Sequence, residues 1–464
     1  MGHQLANKVD WPSRVGLSLT VLFALFLVAG TSIALSALGF MLIVALADGH
    51  QFVAVLRRSP SAWAALALFV YVAARGVAGA FLHPAWADLQ YEGLWDWLLL
   101  LLFPLVAWFV QGSERRVRII LITALLGLVI AIARLTDWSH FLHDVWFGSK
   151  RADWGMTYLQ SALFLGTVLL GWIAFAERLI GADRWRWLRG PGWLLFAGLL
   201  CEMIVLTQSR AVLMSLVVLA PALVIVKIWL QSTRQKRMVA VSVFVVFIAV
   251  AVALIFAHRG SVENRLHGTA KTLHGMQTLQ LDQVPKTSLG KRMYLYNFGG
   301  HRWLDKPVFG WGPGIEAATV FADAPIDPKT NAHFPDLHNG YLEVLVRFGV
   351  VGFLLSLTMT GCLLIGLYRA WQRGFVRTDM VAFLTFSSIL GALVNLTNFR
   401  LVHMAYRFYV IFLVGLVFAH ELRMLATTQQ TASQDDAAAS DPSVPIKNAT
   451  GGQQPDEITR TPDA

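Results

Sequence analysis

Long apolar runs constrain this chain more than any other feature of its sequence. The segments 15–29, 204–226 and 239–257 approach or exceed the ~20 apolar residues that cross the ~30 Å hydrocarbon core of a bilayer. Of 464 residues, 56% are hydrophobic and only 14% are charged, and the mean hydropathy is +0.57. A soluble protein has about 25% charged residues. We therefore expect an all-α polytopic membrane protein.

The hydropathy pattern predicts about twelve membrane-spanning helices. The first two are separated only by Gly30, so an interfacial hairpin at that point would reduce the number to eleven. The twelve predicted segments are 14–29, 31–47, 60–82, 93–110, 117–135, 157–177, 190–207, 210–230, 238–257, 340–369, 379–397 and 404–422.

The basic residues are unevenly divided between the two sides of the predicted bundle. Alternating short loops hold eighteen lysines and arginines on one side and five on the other. Because positively charged loops stay in the cytoplasm, both termini are predicted to be cytoplasmic. This asymmetry also accounts for the net charge of +10, so no nucleic-acid partner is expected. The sparse side holds Lys150, Arg151, Arg210, Arg400 and Arg407.

These observations divide the chain into four parts. Residues 1–257 should form helices 1 to 9, and 258–337 a large loop on the non-cytoplasmic side. Residues 338–423 should form helices 10 to 12. The polar segment 424–464 has no apolar periodicity, which predicts a disordered cytoplasmic tail.

Three polar segments interrupt the apolar pattern, and polar residues near a membrane commonly mark functional sites. The first is Thr207-Gln208-Ser209-Arg210, between two apolar runs. The second is in the large loop, where Arg292 is followed by a glycine- and proline-rich turn at 307–314. The third is Asp336-Leu337-His338-Asn339-Gly340-Tyr341, which begins a long apolar segment.

In this order, the three segments resemble motifs of the O-antigen ligase and polymerase superfamily, bacterial membrane glycosyltransferases. The motifs cover about a third of the chain. At Arg347 the chain departs from the family, which often has an acidic residue before the glycine. The matching residues are Ser209, Arg210, Arg292, the turn 307–314, His338, Asn339, Gly349 and Gly352.

The resemblance implies a GT-C-like fold and the transfer of a glycan from undecaprenyl pyrophosphate to an acceptor hydroxyl. The preferred interpretation is an O-antigen ligase in the bacterial inner membrane, with a periplasmic active site and a lipid A-core acceptor. Its partners would be the lipid-linked O-antigen donor, this acceptor and the surrounding membrane lipids. An O-antigen polymerase and a protein O-oligosaccharyltransferase remain alternatives of the same superfamily. A transporter is the alternative from another class, although no internal repeat supports it.

The leaving pyrophosphate needs cations, and arginine binds phosphate oxygens through a planar, permanently charged fork. Arg210 and Arg292 are assigned to it, with Arg265 as a weaker third candidate. No cofactor and no metal site is expected, because the sequence contains no clustered carboxylates.

His338 is the candidate general base, since histidine accepts protons near neutral pH. At a helix start, the helix dipole disfavours the imidazolium, so the ring is expected to be neutral. Supporting roles are predicted for Ser209, Asn339 and Tyr296.

Each assignment has a structural alternative. Arg210 can anchor a helix at the interface, the 307–314 turn can be ordinary loop, and His338 can simply begin a helix. Arg75 and Glu202 can line a lipid groove or pair with each other.

Overall fold

The computed structural model describes residues 11–47, 49–146, 150–181, 183–230, 288–314, 336–399, 401 and 403–440, with 238, 241 and 245 singly. All regular structure in these residues is helical, which confirms the all-α prediction. Apart from 238, 241 and 245, the predicted helix 238–257 lies outside the described residues, and so does the candidate Arg265.

The described residues form fifteen α-helices. They are α1 (Trp11–Ala29), α2 (Thr31–Ala47), α3 (Gly49–Leu56), α4 (Pro60–Leu82), α5 (Ala87–Leu100), α6 (Phe103–Val110), α7 (Glu114–Leu135), α8 (Tyr158–Ala174), α9 (Ala176–Ile180), α10 (Arg186–Thr207), α11 (Arg210–Leu230), α12 (Ser288–Asp305), α13 (Gly340–Gln372), α14 (Thr378–Asn395) and α15 (Met404–Ser440).

Nine segments of the described chain are long and apolar enough to cross a membrane, and α5 and α6 count together as one of them. Helices α2 and α3 pass the same test only as a pair, and α8 is apolar but has 17 residues. The polytopic prediction is therefore confirmed, while the number twelve stays a prediction.

Two helices form the centre of the bundle. Most residues of α8 are buried, and so is most of the membrane-spanning part of α15. Helix α15 packs against α6 and α13, while α8 packs against α10, α11 and α14. Because other helices surround them, both present little surface to lipid.

The bundle has two distinguishable ends. At one, the α7–α8 connection reaches the end of α10, where the backbone N of Ala152 donates to Leu206 O at 2.9 Å. At the other, Arg423 Nη1 donates to Gly112 O at 2.9 Å, between α6 and α7. We call the first the site end, because all three polar segments of the sequence lie there, and the second the opposite end.

The last helix differs from the prediction. Helix α15 continues to Ser440, whereas the sequence pattern predicted disorder from residue 424. The segment after Arg423 is rich in alanine and glutamine. Adding residues to an existing helix avoids the cost of nucleation, so a polar segment without apolar periodicity can still extend it.

Candidate functional site

His338 lies immediately before α13 and is held by a nearby carboxylate. Asp336 Oδ1 accepts from the His338 backbone N at 2.7 Å and contacts His338 Nδ1 at 2.6 Å. The His338 side chain is 18% exposed, and its φ is +53°, a left-handed conformation that is uncommon outside glycine. The backbone thus turns sharply to bring the imidazole onto Asp336.

This contact has a chemical consequence for the imidazole. Because an ionised carboxylate only accepts hydrogen bonds, the contact selects the tautomer with its proton on Nδ1. Nε2 is then the nitrogen that can take up a proton, and Asp336 stabilises the imidazolium that results. The arrangement is one in which the imidazole is oriented and can accept a proton at Nε2.

Asn339 caps α13. Its Oδ1 accepts from the backbone N of Tyr341 at 3.0 Å and of Leu342 at 3.1 Å. An N-cap of this kind satisfies backbone donors that lack partners within the helix. Asn339 therefore fixes where α13 begins, and the position of His338 one residue earlier.

Tyr296 of α12 holds the same loop from the other side. Its hydroxyl lies 3.0 Å from His338 O and 3.4 Å from Leu396 O. Burial raises the pKa of Tyr296, the charge of Arg292 lowers it and that of Asp336 raises it. Since the net shift is upward, the phenol remains a protonated donor at neutral pH.

The two predicted phosphate-binding arginines lie within electrostatic range of each other. Arg210 is the first residue of α11, and the charges of Arg151 and Arg292 both act on it. Arg292 Nη2 donates to Asn398 Oδ1 at 3.4 Å, while its buried Nε has no hydrogen bond to any described residue. Guanidinium groups that lie near one another despite their mutual repulsion are typical of sites that bind anions.

Ser209 precedes Arg210 and is buried. Its carbonyl accepts from the backbone N of Leu213 at 3.0 Å, in the first turn of α11. Gln208, just before it, has φ +51° and ends α10. The break between the two helices is therefore a tight left-handed turn, which places Arg210 at the site end.

The glycine- and proline-rich turn is inserted into a break in α13. Gly349 has φ +64° and ψ −170°, so the helix loses its internal hydrogen bonds there. The turn replaces them by donating to α13 carbonyls before the break and by accepting from α13 amides after it. The bonds are Trp311 N to Val346 O (2.9 Å), Gly312 N to Arg347 O (2.8 Å), Val350 N to Pro307 O (2.9 Å) and Val351 N to Val308 O (3.2 Å).

Glycine is required at this junction by two independent constraints. A Cβ on Gly349 would lie 2.2 Å from Val308 O, and its φ is unfavourable for any L side chain. The turn is thus a structural element of the site rather than an ordinary surface loop.

Arg347 connects this turn to the His338 loop. It donates from Nε to Glu343 Oε2 at 2.8 Å and from Nη1 to Pro313 O. Glu343 Oε1 accepts from the backbone N of Leu337 at 2.7 Å. Because Glu343 and Arg347 are both buried, the pair requires this mutual neutralisation. The basic residue that departs from the family pattern therefore has a clear structural role.

Several residues near the candidate site were not predicted from the sequence. No role was predicted for Asp336, although its position two residues before His338 in the third polar segment was a usable signal. Arg151 was counted only for topology, and Asn398 and Glu343 were not considered. Arg151 and Asn398 lie far from Arg210 and Arg292 in the sequence, and one sequence alone does not indicate which distant residues come into contact.

Among the described residues, no group of three or more histidine, cysteine, aspartate or glutamate side chains is arranged to hold a metal ion. The acidic groups nearest His338 already have partners, Asp336 with the imidazole and Glu343 with Arg347.

Comparison with known proteins gives one result that bears on this site. A family profile described as O-antigen ligase matches residues 194–357. The matched region contains Arg210, Arg292 and His338, as well as the turn at 307–314. None of the curated proteins gives a significant match to the chain.

Proposed function

We propose that this chain is an O-antigen ligase of the superfamily whose profile matches residues 194–357. It would transfer the O-antigen glycan from undecaprenyl pyrophosphate to a hydroxyl of lipid A-core. The observation that carries the proposal is the juxtaposition of an oriented base with clustered arginines. Tyr296, hydrogen-bonded to His338 O, lies one helical turn after Arg292 on α12.

The geometry supports the following roles. His338 Nε2 takes the proton of the acceptor hydroxyl while its oxygen forms a bond to the sugar C1. The bond between C1 and the pyrophosphate oxygen breaks, and its electron pair leaves with the undecaprenyl pyrophosphate. Arg210 and Arg292 stabilise that negative charge. A single displacement of this kind inverts the anomeric centre.

The proposed location is the periplasmic side of the inner membrane. Support comes from the eighteen-to-five distribution of basic residues, which favours a cytoplasmic opposite end. Several residues of the abundant side, including Arg178 and Lys227, take part in ion pairs near that end. The site end would then face the compartment in which lipid-linked glycans are presented.

Deletion of the gene followed by chemical analysis of the surface glycolipid tests the proposal. A ligase predicts unmodified lipid A-core together with intact carrier-linked polymer. Caps of a single repeat unit would indicate a polymerase, and unmodified glycoprotein with normal lipopolysaccharide would indicate a protein-directed enzyme. Carrier-linked glycan trapped on the cytoplasmic side would indicate a transporter.

Transfer between purified lipid-linked donor and lipid A-core then separates catalysis from transport. The purified protein should suffice in detergent, and it should release undecaprenyl pyrophosphate in equal amount to the product. No transfer by correctly folded protein would contradict the proposal.

A further inference from the structure

A second group of cations lies beyond the C-terminal end of α12, away from Arg292. Lys306 Nζ is 2.8 Å from His83 Nε2 and 3.9 Å from the centroid of the Trp311 ring. An ammonium group only donates hydrogen bonds, so His83 must accept through Nε2 and be neutral. His83 is stacked between Trp86 and Trp311, with ring centroids 5.2 and 5.8 Å away.

Arg75 of α4 completes this group. Its Nη2 donates to Gly310 O at 2.8 Å, whereas its buried Nε has no hydrogen bond in the structure. We call Arg75, His83, Lys306 and Trp311 the α4 cationic site. Its indole is fixed, because Trp311 Nε1 donates to Arg302 O at 2.8 Å.

The α4 cationic site contains positive groups that disfavour one another's charge. Burial lowers the pKa of Lys306, and Arg75 lowers it further, against an opposing effect of Asp305. Burial lowers the pKa of His83 as well, together with the charges of Lys306 and Arg75. Asp305 is about half exposed and lies 3.6 Å from Arg302. An anion next to these groups raises both pKa values, so the arrangement favours anion binding.

Exposed apolar side chains surround the α4 cationic site. Phe81 and Leu82, at the end of α4, are 78% and 65% exposed, and Val308 and Phe309 of the adjacent turn are exposed as well. Cations beside apolar surface at the end of a membrane helix are suited to a lipid, whose acyl chains cover the apolar residues while its headgroup meets the charges.

This location differs from that of the proposed pyrophosphate site. Arg292 is near the start of α12 and Lys306 directly follows its end, a separation of roughly 20 Å along the helix axis. One pyrophosphate group cannot contact both. A reaction between two lipid-linked substrates, however, requires two places for charged lipid headgroups.

We propose that the α4 cationic site binds a phosphate group of the acceptor lipid, a phosphorylated glycolipid with several acyl chains. Arg75 and Lys306 supply the charge, and the apolar residues at the end of α4 contact the acyl chains. This proposal rests on the proposed function, which supplies a lipid acceptor.

Lys306→Gln tests the proposal, because it removes one cation and leaves the Arg75 contact with the turn in place. Transfer is measured with lipid A-core and with the same acceptor after phosphatase treatment. The variant should raise KM for the phosphorylated acceptor about tenfold, the loss expected for one charge-assisted hydrogen bond. KM for the treated acceptor and for the donor should not change. Arg134→Gln, which removes an exposed charge at the end of α7, is the matched control and should change neither value.

A binding measurement separates this proposal from the proposed function. Native mass spectrometry compares adducts of phosphatidic acid and of diacylglycerol on wild type, Lys306→Gln and Arg134→Gln. Selective loss of the phosphatidic acid adduct in Lys306→Gln supports a phosphate site even if wild type shows no transfer, a result that would overturn only the proposed function.

Three outcomes overturn the inference. Equal effects of Lys306→Gln on phosphorylated and treated acceptors would show that phosphate is not what Lys306 recognises. Unchanged adducts in all three proteins would show that no phosphate is bound. Loss of the phosphatidic acid adduct with an unchanged acceptor KM would assign the site to bulk membrane lipid instead of the acceptor.

Discussion

The two ends of the bundle differ in how their charges are balanced. At the opposite end, Arg178 lies between Glu114 at 2.9 Å and Asp379 at 2.6 Å. Lys227 donates to Ala174 O at 2.6 Å and pairs with Glu177 at 3.5 Å. Each of these cations is matched by an acidic group on another helix, so their charges hold helices together.

At the site end, ion pairs such as Arg347 with Glu343 and Arg407 with Asp96 stand beside clusters of like charge. Arg151 and Arg292 act on Arg210, and Arg75 acts on Lys306. Left-handed backbone of non-glycine residues occurs at both ends, at Gln111 at the opposite end and at Gln208 and His338 at the site end. Charge repulsion costs stability, and it is characteristic of functional sites. The contrast in charge supports the proposed binding of anions at the site end.

Two matched histidine substitutions should give the largest contrast between the ends. His338→Ala should lower kcat by roughly 10² to 10⁴, the usual contribution of a general base, with donor binding retained. His420→Ala is the control, because His420 is a buried histidine at the opposite end with no hydrogen bond to either ring nitrogen in the described structure. It should keep turnover within about twofold of wild type, since it is remote from the site.

Asp336→Asn refines this comparison. Asparagine can still accept from Nδ1 but cannot stabilise the imidazolium by charge. We expect kcat to fall by about tenfold to a hundredfold with both KM values unchanged, measured in the same assay. If His338→Ala in a folded protein turns over like wild type, His338 is not the base.

Substitutions of two glycines in α13 test the strained junction. Gly349→Ala places a Cβ against Val308 O and should destabilise the protein by about 2 to 4 kcal/mol. Gly361→Ala lies in the same helix, where an added Cβ meets no atom within 4 Å, and should stabilise it by up to ~1 kcal/mol. Thermal unfolding in detergent measures both. Equal melting temperatures of the Gly349→Ala and Gly361→Ala variants would show that close packing of the 307–314 turn against Gly349 does not stabilise the protein.

An arginine-to-lysine pair tests the charge contrast with a smaller effect. Arg292→Lys keeps the positive charge but loses the two-pronged fork, so KM for the donor should rise about tenfold with kcat largely retained. Arg178→Lys at the opposite end should leave both constants unchanged. Steady-state kinetics with varied donor would show the difference. An unchanged donor KM in Arg292→Lys would remove Arg292 from the pyrophosphate site.

The sequence predicted those features that depend on local composition. Apolar runs indicated most helices, and the polar break at 207–210 correctly marked the end of α10. The insertion of the 307–314 turn into α13 was not predictable, because it depends on hydrogen bonds between segments some forty residues apart. Helix α12 was also missed as an element, since its buried Leu295 and Phe298 pack on Leu337 and Val346 instead of forming a long apolar run.

In the candidate site, too, some features were predictable from the sequence and others were not. His338, Arg210 and Arg292 were predicted as site residues from residue type and motif, and the charge of Arg292 acts on Arg210. The environment of His338 was predicted from the helix dipole alone. The structure places Asn339 at the N-cap and a carboxylate on the imidazole, so the local field differs from that expectation. The backbone turn before α13 decides which side chains meet there. Secondary-structure propensity does not predict such a turn.

Removal of divalent metal should have the smallest effect. If the arginines of the site end stabilise the leaving pyrophosphate, EDTA should leave the rate of transfer unchanged, because a guanidinium charge does not depend on a bound ion. The acidic groups beside His338 already serve other partners, Asp336 binding the imidazole and Glu343 binding Arg347. The assay uses purified protein in detergent, with EDTA added before the donor and with magnesium or manganese restored in parallel samples. Loss of transfer on chelation and its recovery with either metal would mean that the arginines alone do not stabilise the leaving group.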